Sequence, residues 1–144
     1  MLKLGIPVGL AVDGSASNDG SNLLEELRVA YLLHRLNSSS QAPDGYELLK
    51  LATRGSAAVL GRSDIGSLEP GKAGDLFLIR KNRLELVGAD LDPKSMLGTV
   101  GFKGAVDYTV VNGKIVVRNG KLTGIDEEKA VYEGKRAVNE YLNR

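Results

Sequence analysis

The amino-acid sequence predicts an α/β segment at residues 1–61, a β-rich segment at residues 62–125 and a closing helix at residues 126–144. In the first segment a short apolar run ends in a carboxylate, and a polar loop and a long helical pattern follow, as in the strand, loop and helix of parallel α/β folds. Beyond Gly66, helical spacing gives way to short apolar runs separated by turn residues. The last residues return to helical spacing, so we expect one helix there.

The α/β segment begins with the apolar run Leu4–Val12, which is short and lacks clean alternation, as is typical of a buried strand. Residues 22–36 place apolar side chains on a wide helical stripe, and Asn18 or Ser21 is a suitable N-cap for this helix. The strand has no parallel neighbour in this sequence that would bury both its faces. We therefore expect this segment to be a piece of a larger α/β structure.

The elements that follow are short and bounded by turn residues. Tyr46–Arg54 predicts a second helix, with Gly55 as its C-cap, and Ser56–Leu60 predicts a further helical turn stopped by Gly61. Asn112-Gly113 is the strongest hairpin signal, because both residue types tolerate the positive φ of a type I′ turn. The charged run at residues 80–83 predicts a solvated hairpin tip. The predicted strands are Leu76–Ile79, Leu84–Val87, Val106–Val111, Lys114–Val117 and the short run Lys121-Leu122, and the closing helix is Asp126–Leu142.

Composition narrows the classes of function. The net charge of +1 and the 5% aromatic content give no reason to expect a nucleic-acid or anionic membrane partner. Without cysteine the chain has no disulfide or thiolate metal site, which is compatible with a reducing, cytoplasmic location. We expect no signal peptide, because Asp13 follows the first apolar run where small residues should lead to a cleavage site. No apolar run approaches the ~18 residues of a membrane span.

Asp13 is the strongest candidate functional residue, because it stands at the carboxyl end of a predicted strand. In parallel α/β folds this end of a strand is where chemistry is placed. A carboxylate there can bind a metal or accept a proton from water. The alternative is an aspartate that shapes the loop and caps the next helix, since aspartate is common at turns. The residue pattern alone leaves both interpretations open.

Two stretches of the chain closely resemble the C-terminal part of the amidohydrolase superfamily. The first is VGLAVDGSASNDGSNLLEELRVAYLLHRL, and the second is IGSLEPGKAGDLFLI with VDYTVVNGKIVVRNGKL after it. The VDGSASND loop is specific to the chlorohydrolase/deaminase branch, which includes 8-oxoguanine deaminase, cytosine and guanine deaminases and triazine hydrolases. The resemblance runs from about Gly5 to about Leu142, nearly the whole chain.

The resemblance implies a (β/α)8 barrel with a smaller β-sandwich assembled from both chain ends. The chain would be a C-terminal fragment of such an enzyme, because a complete barrel needs ~250 residues. Residues 1–61 would supply the last barrel strand and helices, residues 62–125 the C-terminal sandwich strands, and residues 126–144 the closing helix.

The resemblance also implies an activity, which is hydrolysis of a C–N bond (deamination) on an N-heteroaromatic ring such as a purine, pyrimidine or triazine. One divalent metal ion, zinc or iron, would assist the reaction, with Asp13 as a ligand that also takes a proton from the attacking water. Ser17 matches a position that contacts the substrate ring. Asn18 and Asp19 belong to the same loop, and for all three loop residues substrate binding and local turn geometry both stay open.

The family's other metal ligands, which are histidines on earlier barrel strands, have no counterpart in this sequence. The single histidine, His34, falls on the apolar face of the first helix, so we expect a core or interface histidine and not a ligand. One carboxylate cannot hold a catalytic zinc, which uses three protein ligands. We therefore expect the isolated chain to be inactive and to bind no metal.

Two further expectations concern partners and alternatives. The implied partner of the parent enzyme is a small N-heterocyclic substrate, and the uncovered strand and helix face favour a homo-oligomer. The alternative function is a non-catalytic structural or oligomerisation module.

Gly66, Gly71 and Lys72 have phosphate-loop spacing, but Ala73 stands where Ser or Thr must be, which excludes that motif. We interpret Asp75 as an anchor for the turn at the start of the strand Leu76–Ile79, and not as a catalytic acid.

Overall fold

Five α-helices and one four-stranded sheet make up the regular structure of the computed structural model, which describes residues 1–18 and 20–143, Ser39 by its backbone alone. The helices are α1 (Leu23–Ser38), α2 (Gly45–Lys50), α3 (Ser56–Val59), α4 (Met96–Val100) and α5 (Glu127–Leu142). The strands are β1 (Leu76–Leu78), β2 (Tyr108–Val111), β3 (Lys114–Arg118) and β4 (Lys121–Leu122). Single 3₁₀ turns lie at Leu2–Leu4, Ser39–Gln41, Leu84–Leu86 and Ala89–Leu91.

The sheet is antiparallel throughout, in the order β1-β2-β3-β4. The predicted hairpin is confirmed, because Asn112 (φ 48°) and Gly113 (φ 77°) both have the positive φ of a type I′ turn between β2 and β3. The Asp75 carboxylate accepts a hydrogen bond from the backbone N–H of Asn112 at 2.6 Å. Asp75 therefore has a structural role, as predicted, but its carboxylate anchors the β2–β3 hairpin and not the turn at the start of β1.

The core lies among α1, α2 and α4. Its buried side chains are Leu27, Leu48, Leu86, Met96, Leu97 and Phe102. Helices α2 and α4 cross where two glycines meet: a Cβ added to Gly98 would lie 2.8 Å from the Cα of Gly45. A Cβ on Gly45 would overlap the carbonyl oxygen of Ser95. Both positions accept only glycine at this separation, so the close helix crossing depends on them.

The second helix runs through the predicted C-cap, and the predicted helical turn after it, stopped by Gly61, is confirmed. Gly55 does not end it, because Gly55 is itself helical (φ −63°, ψ −47°) and a π-helical turn at Leu51–Gly55 joins α2 to α3. A Cβ on Gly55 would overlap the carbonyl oxygen of Val8. The glycine therefore serves a close approach of the N-terminal segment, and the left-handed Gly61 (φ 67°) follows the helix end.

Two predicted strands are wrong. Leu4–Val12 forms no strand; residues 6–14, all of them described, have no regular secondary structure, since no neighbouring strand offers them a hydrogen-bonding partner. Leu84–Val87 is a 3₁₀ turn that directs Leu86, which is 0% exposed, into the helical core. The run resembles a strand in sequence, but only the Leu86 side chain is buried, and the run is not part of the sheet.

Much of the apolar surface of α1 and α5 is exposed to solvent. His34 is exposed on α1, so it is not a core histidine in this chain, and its place at an interface stays a prediction. The apolar face of α5 is uncovered, and its exposed members are Ala130, Val131, Ala137, Val138, Tyr141 and Leu142. On α1 the exposed apolar side chains are Leu23, Val29, Leu32, Leu33 and Leu36. In the part of the chain that the structure describes, no helix combines the length and apolar character needed to cross a membrane.

The charged run at residues 80–83 is only partly solvated. Arg83 donates to Asp107 at 2.8 Å, and its guanidinium lies 5.0 Å from the centre of the Phe102 ring. The backbone N–H of Arg80 also donates to Asp107 at 2.8 Å. The side chain of Asp107 is 12% exposed and that of Arg83 25%, so this pair joins the sheet to the helical core.

Asp107→Asn should lower the urea midpoint of unfolding near neutral pH, and the difference from wild type should vanish in acid. The Arg80 N–H and then the Arg83 guanidinium hold the pKa of Asp107 below its usual range. Because the folded pKa lies below the unfolded value of about 3.9, the charged carboxylate stabilises the fold above about pH 4. This contribution is lost as the pH falls through the lowered pKa.

The control for this prediction is Asp64→Asn, which breaks a pair with Arg62 in which both side chains are about half exposed. Such exposed pairs contribute little, so its midpoint should shift less than that of Asp107→Asn. Urea titrations at about pH 7 and about pH 2 compare the variants. An equal difference for Asp107→Asn at both values would contradict the prediction.

Candidate functional site

Asp13 lies in the loop that leads to α1, and its side chain is exposed. Its backbone has φ 64°, a left-handed conformation that is uncommon outside glycine. The Oδ1 atom accepts a hydrogen bond from the Gly14 N–H at 2.7 Å, whereas Oδ2 makes no hydrogen bond within residues 1–18 and 20–143. One carboxylate oxygen is thus held by the loop, and the other is free to bind a cation or accept a proton.

The residues after Asp13 form a compact turn around the Gly14 carbonyl. This oxygen accepts hydrogen bonds from the backbone N–H groups of Ser17 and Asn18, both at 2.9 Å. It also accepts one from the Ser17 hydroxyl at 3.1 Å. Ser17 is exposed, and its hydroxyl proton is used inside the loop. Asp19 lies outside the described residues.

Asn18 connects this turn to two other parts of the chain. Its Nδ2 donates to the Val12 carbonyl and to Oε1 of Glu26, both at 2.8 Å, and its Oδ1 accepts from the Gly20 N–H at 3.0 Å. The predicted N-cap at Asn18 or Ser21 is wrong, because Asn22 accepts the capping bond from the Leu24 N–H at 3.1 Å. Asn18 thus has a partner in Glu26 that no signal in the sequence identified.

The segment that carries Asp13 rests against the second helix. The Ser56 hydroxyl donates to the Leu10 carbonyl at 3.2 Å. A Cβ on Gly9 would lie 2.8 Å from the Cα of Ser56, so the backbones touch here. A segment without regular secondary structure is therefore fixed by close backbone packing three residues before Asp13.

The chemistry of Asp13 suits a divalent metal, but one ligand does not make a metal site. Among the described side chains, no three His, Cys, Asp or Glu groups come together in a way that could hold a metal ion. Because a catalytic zinc uses three protein ligands, the residues present cannot hold zinc by themselves. Asp13 fits as one member of a larger ligand set.

A cavity of about 620 Å³ lies between α2–α3 and β1, away from the Asp13 loop. Tyr46, Thr53, Asp75 and Phe77 are among the residues that line it, and Asp13, Ser17 and Asn18 are not. The residues predicted to act on substrate therefore lie together on one exposed loop, and this cavity is not part of that site.

Comparison with known proteins identifies the family. The amidohydrolase family matches residues 1–116 of the chain. The chain belongs to the amidohydrolase family. This amidohydrolase chain is 49% identical over 130 residues to hydroxydechloroatrazine ethylaminohydrolase from Pseudomonas sp. strain ADP, covering 88% of the chain and 27% of that protein. It is 45% identical over 122 residues to 8-oxoguanine deaminase from Pseudomonas aeruginosa, covering 85% of the chain and 27% of that enzyme.

The structural comparison agrees. The chain is similar to the crystal structure of atrazine chlorohydrolase from Arthrobacter aurescens TC1 complexed with zinc, with a TM-score of 0.86 and 40% identity over 94% of the chain and 30% of that structure. The predicted chlorohydrolase/deaminase branch of the amidohydrolases is thereby confirmed. The chain spans between a quarter and a third of the length of these relatives.

Proposed function

We propose that this chain is the C-terminal part of a metal-dependent amidohydrolase that cleaves an exocyclic C–N bond, or a carbon–halogen bond, on an N-heteroaromatic ring. The observation that carries the proposal is the structural similarity to the zinc-complexed atrazine chlorohydrolase over 94% of the chain. Relatives named for a triazine and a purine substrate support the ring class. Purines, pyrimidines and triazines are the candidate substrates.

In this proposal residues 1–61 supply the last strand and helices of a (β/α)8 barrel. Residues 62–125 belong to a β-sandwich, and residues 126–144 are the closing helix. The uncovered apolar faces of α1 and α5 support this arrangement, because large exposed apolar surfaces mark interaction sites. Further polypeptide, or a second copy in a homo-oligomer, would cover them.

Asp13 is proposed as a metal ligand and proton carrier. When bound, the divalent metal, zinc or iron, lowers the pKa of water toward about 7. The free Oδ2 of Asp13 is available as the ligand atom, and the carboxylate can accept a proton and return it to the leaving nitrogen. Ser17 and Asn18, which follow in the same loop, are proposed to border the substrate.

The alternative function is a non-catalytic module of the same fold. It is favoured by one observation, namely that the described side chains contain no group of three metal ligands. This alternative predicts a stable oligomer that holds no metal, whatever polypeptide surrounds it.

Metal analysis together with an assay of ammonia, amine or halide release separates the two functions. We expect the full-length polypeptide that contains this chain to hold about one metal ion, to release the leaving group from at least one heterocycle and to lose this activity on chelation. The isolated chain should bind no zinc and show no turnover. Full-length protein without metal or turnover would favour the module, and stoichiometric zinc on the isolated chain would contradict the proposed ligand set.

A further inference from the structure

The side-chain amide of Asn18 is fully used by the loop. An asparagine amide has two N–H donors. One is donated to the Val12 carbonyl and the other to Oε1 of Glu26, both at 2.8 Å. The side-chain oxygen accepts from the Gly20 N–H at 3.0 Å. Asn18 therefore has no free N–H for a substrate unless one of these bonds breaks.

The bond to Val12 acts on the peptide group directly before Asp13. When the Val12 carbonyl is held, the plane of the Val12–Asp13 peptide is fixed, and the φ angle of Asp13 is measured from that plane. Asp13 has φ 64°, a left-handed conformation that is strained for most residues with a Cβ. Such conformations persist only where the surrounding structure holds them. The amide of Asn18 is the side-chain group that makes this contact.

Glu26 holds Asn18 in turn. It lies in the first turns of α1, next to Leu27, whose side chain is 1% exposed in the core. The backbone of α1 at this point is therefore fixed by packing. The hydrogen bond from Asn18 to Glu26 connects the loop to this fixed helix, because the two residues are otherwise separated by a turn that is exposed at Gly20 and Ser21.

We propose that Glu26 is a positioning residue for Asp13: through Asn18 it fixes the Val12 carbonyl and so sets the direction of the Asp13 carboxylate. This inference rests on the proposed function, in which Asp13 is a metal ligand. Glu26 acts on Asp13 through Asn18, with which it shares a hydrogen bond, so its proposed role is positioning and not catalysis. Asn18 borders the substrate in this arrangement without donating a hydrogen bond to it.

The chain offers a matched control in Glu25, the preceding residue on the same helix. Glu25 has the same charge, pairs with Lys103 at 3.7 Å and makes no hydrogen bond with Asn18. Glu25→Ala and Glu26→Ala thus remove the same group from neighbouring positions. Glu26→Gln keeps an oxygen that can accept from Asn18, and Asn18→Asp removes both donors at nearly constant shape.

The first test measures zinc affinity of the full-length polypeptide by chelator competition. Residues that support metal ligands typically contribute 10–100-fold to affinity, so Glu26→Ala and Asn18→Asp should weaken zinc binding about tenfold or more. Glu26→Gln and Glu25→Ala should stay within about threefold of wild type. In turnover, Glu26→Ala should lower kcat with little change in KM, because the substrate contacts remain.

The second test needs no metal and uses this chain. Hydrogen exchange of residues 12–18 reports whether the turn around the Gly14 carbonyl is held, since the Ser17 and Asn18 N–H groups donate to it. Exchange there should be faster in Glu26→Ala than in Glu25→Ala, with equal thermal unfolding midpoints in both. Equal exchange in the two variants would overturn the positioning role, even if one full-length variant failed to fold.

Asp13→Ala distinguishes failure of this inference from failure of the proposed function. If Asp13→Ala keeps its zinc, the proposed ligand is wrong and the positioning role falls with it. If Asp13→Ala loses zinc whereas Glu26→Ala behaves like Glu25→Ala, only the positioning role is overturned. The ligand role of Asp13 and the positioning role of Glu26 would both be supported if Asp13→Ala lost zinc, Glu26→Ala bound zinc more weakly and Glu26→Gln bound it like wild type.

Discussion

Asp13→Ala in the full-length polypeptide should remove the bound metal and lower kcat/KM by at least about 10³-fold. A positioned acid or base alone contributes about 10²–10⁴-fold, and loss of a metal ligand adds to this. Metal content by mass spectrometry and the rate of release of the leaving group are the measurements. Full retained activity would contradict the assignment of Asp13 as ligand and proton carrier.

Two further variants show whether the loss is chemical and not a loss of fold. Asp13→Gly should also lose the metal, but glycine adopts φ 64° without strain, so its unfolding midpoint should be no lower than that of wild type when both are metal-free. Asp126→Ala removes the carboxylate that caps α5 through the Lys129 N–H at 3.0 Å, and it should keep metal and turnover. If Asp126→Ala also lost its metal and its turnover, the losses in Asp13→Ala would be attributed to a general effect on the fold.

Gly45→Ala should be the most destabilising of the single substitutions proposed for this chain. Its new Cβ would overlap the backbone oxygen of Ser95 and lie 2.9 Å from the Ser95 Cα, and backbone atoms cannot rotate away as a side chain does. Overpacking typically costs about 1–3 kcal/mol, and we expect about 3 kcal/mol or more here. Urea unfolding followed by circular dichroism measures the loss.

Gly134→Ala is the matched control for this substitution. Gly134 lies in the middle of α5, and a Cβ there would meet no atom within 4 Å. Alanine stabilises an exposed helix by about 0.5–1 kcal/mol relative to glycine, so this variant should be as stable as wild type or slightly more stable. A similar loss in both variants would show that the helix crossing at Gly45 is not the cause.

Local signals made the sheet predictable. The turns Asn112-Gly113 and Asn119-Gly120 prescribe positive φ at adjacent residues, and such a turn fixes which strands pair. The N-terminal strand was not predictable in the same way, because a strand forms only beside a partner and Leu4–Val12 finds none among the described residues. The predicted C-cap at Gly55 was wrong because Gly55 serves packing against Val8, a contact that local sequence does not reveal.

From the sequence, Asp13 could be proposed as a site residue, but the contacts that hold its loop could not be predicted. Asp13 follows from its place after an apolar run and from the resemblance of its loop, and both are local properties of the sequence. The partnership of Asn18 with Glu26 spans eight residues and joins a loop to a helix, so it depends on how the two meet in space. His34 was assigned to a buried face because helical spacing identifies the apolar side of α1 but not whether anything covers it.

The glycine contacts of the second helix have a consequence for directed evolution. A Cβ on Gly66, in the loop before β1, would lie 2.8 Å from the Cβ of Ala57, and Gly55 meets Val8 on the segment that leads to Asp13. Displacement on the sheet side can therefore be transmitted through this helix to the segment before Asp13, the proposed metal ligand. Mutant libraries selected for new substrates should therefore return losses of turnover at these glycines, which lie away from the Asp13 loop.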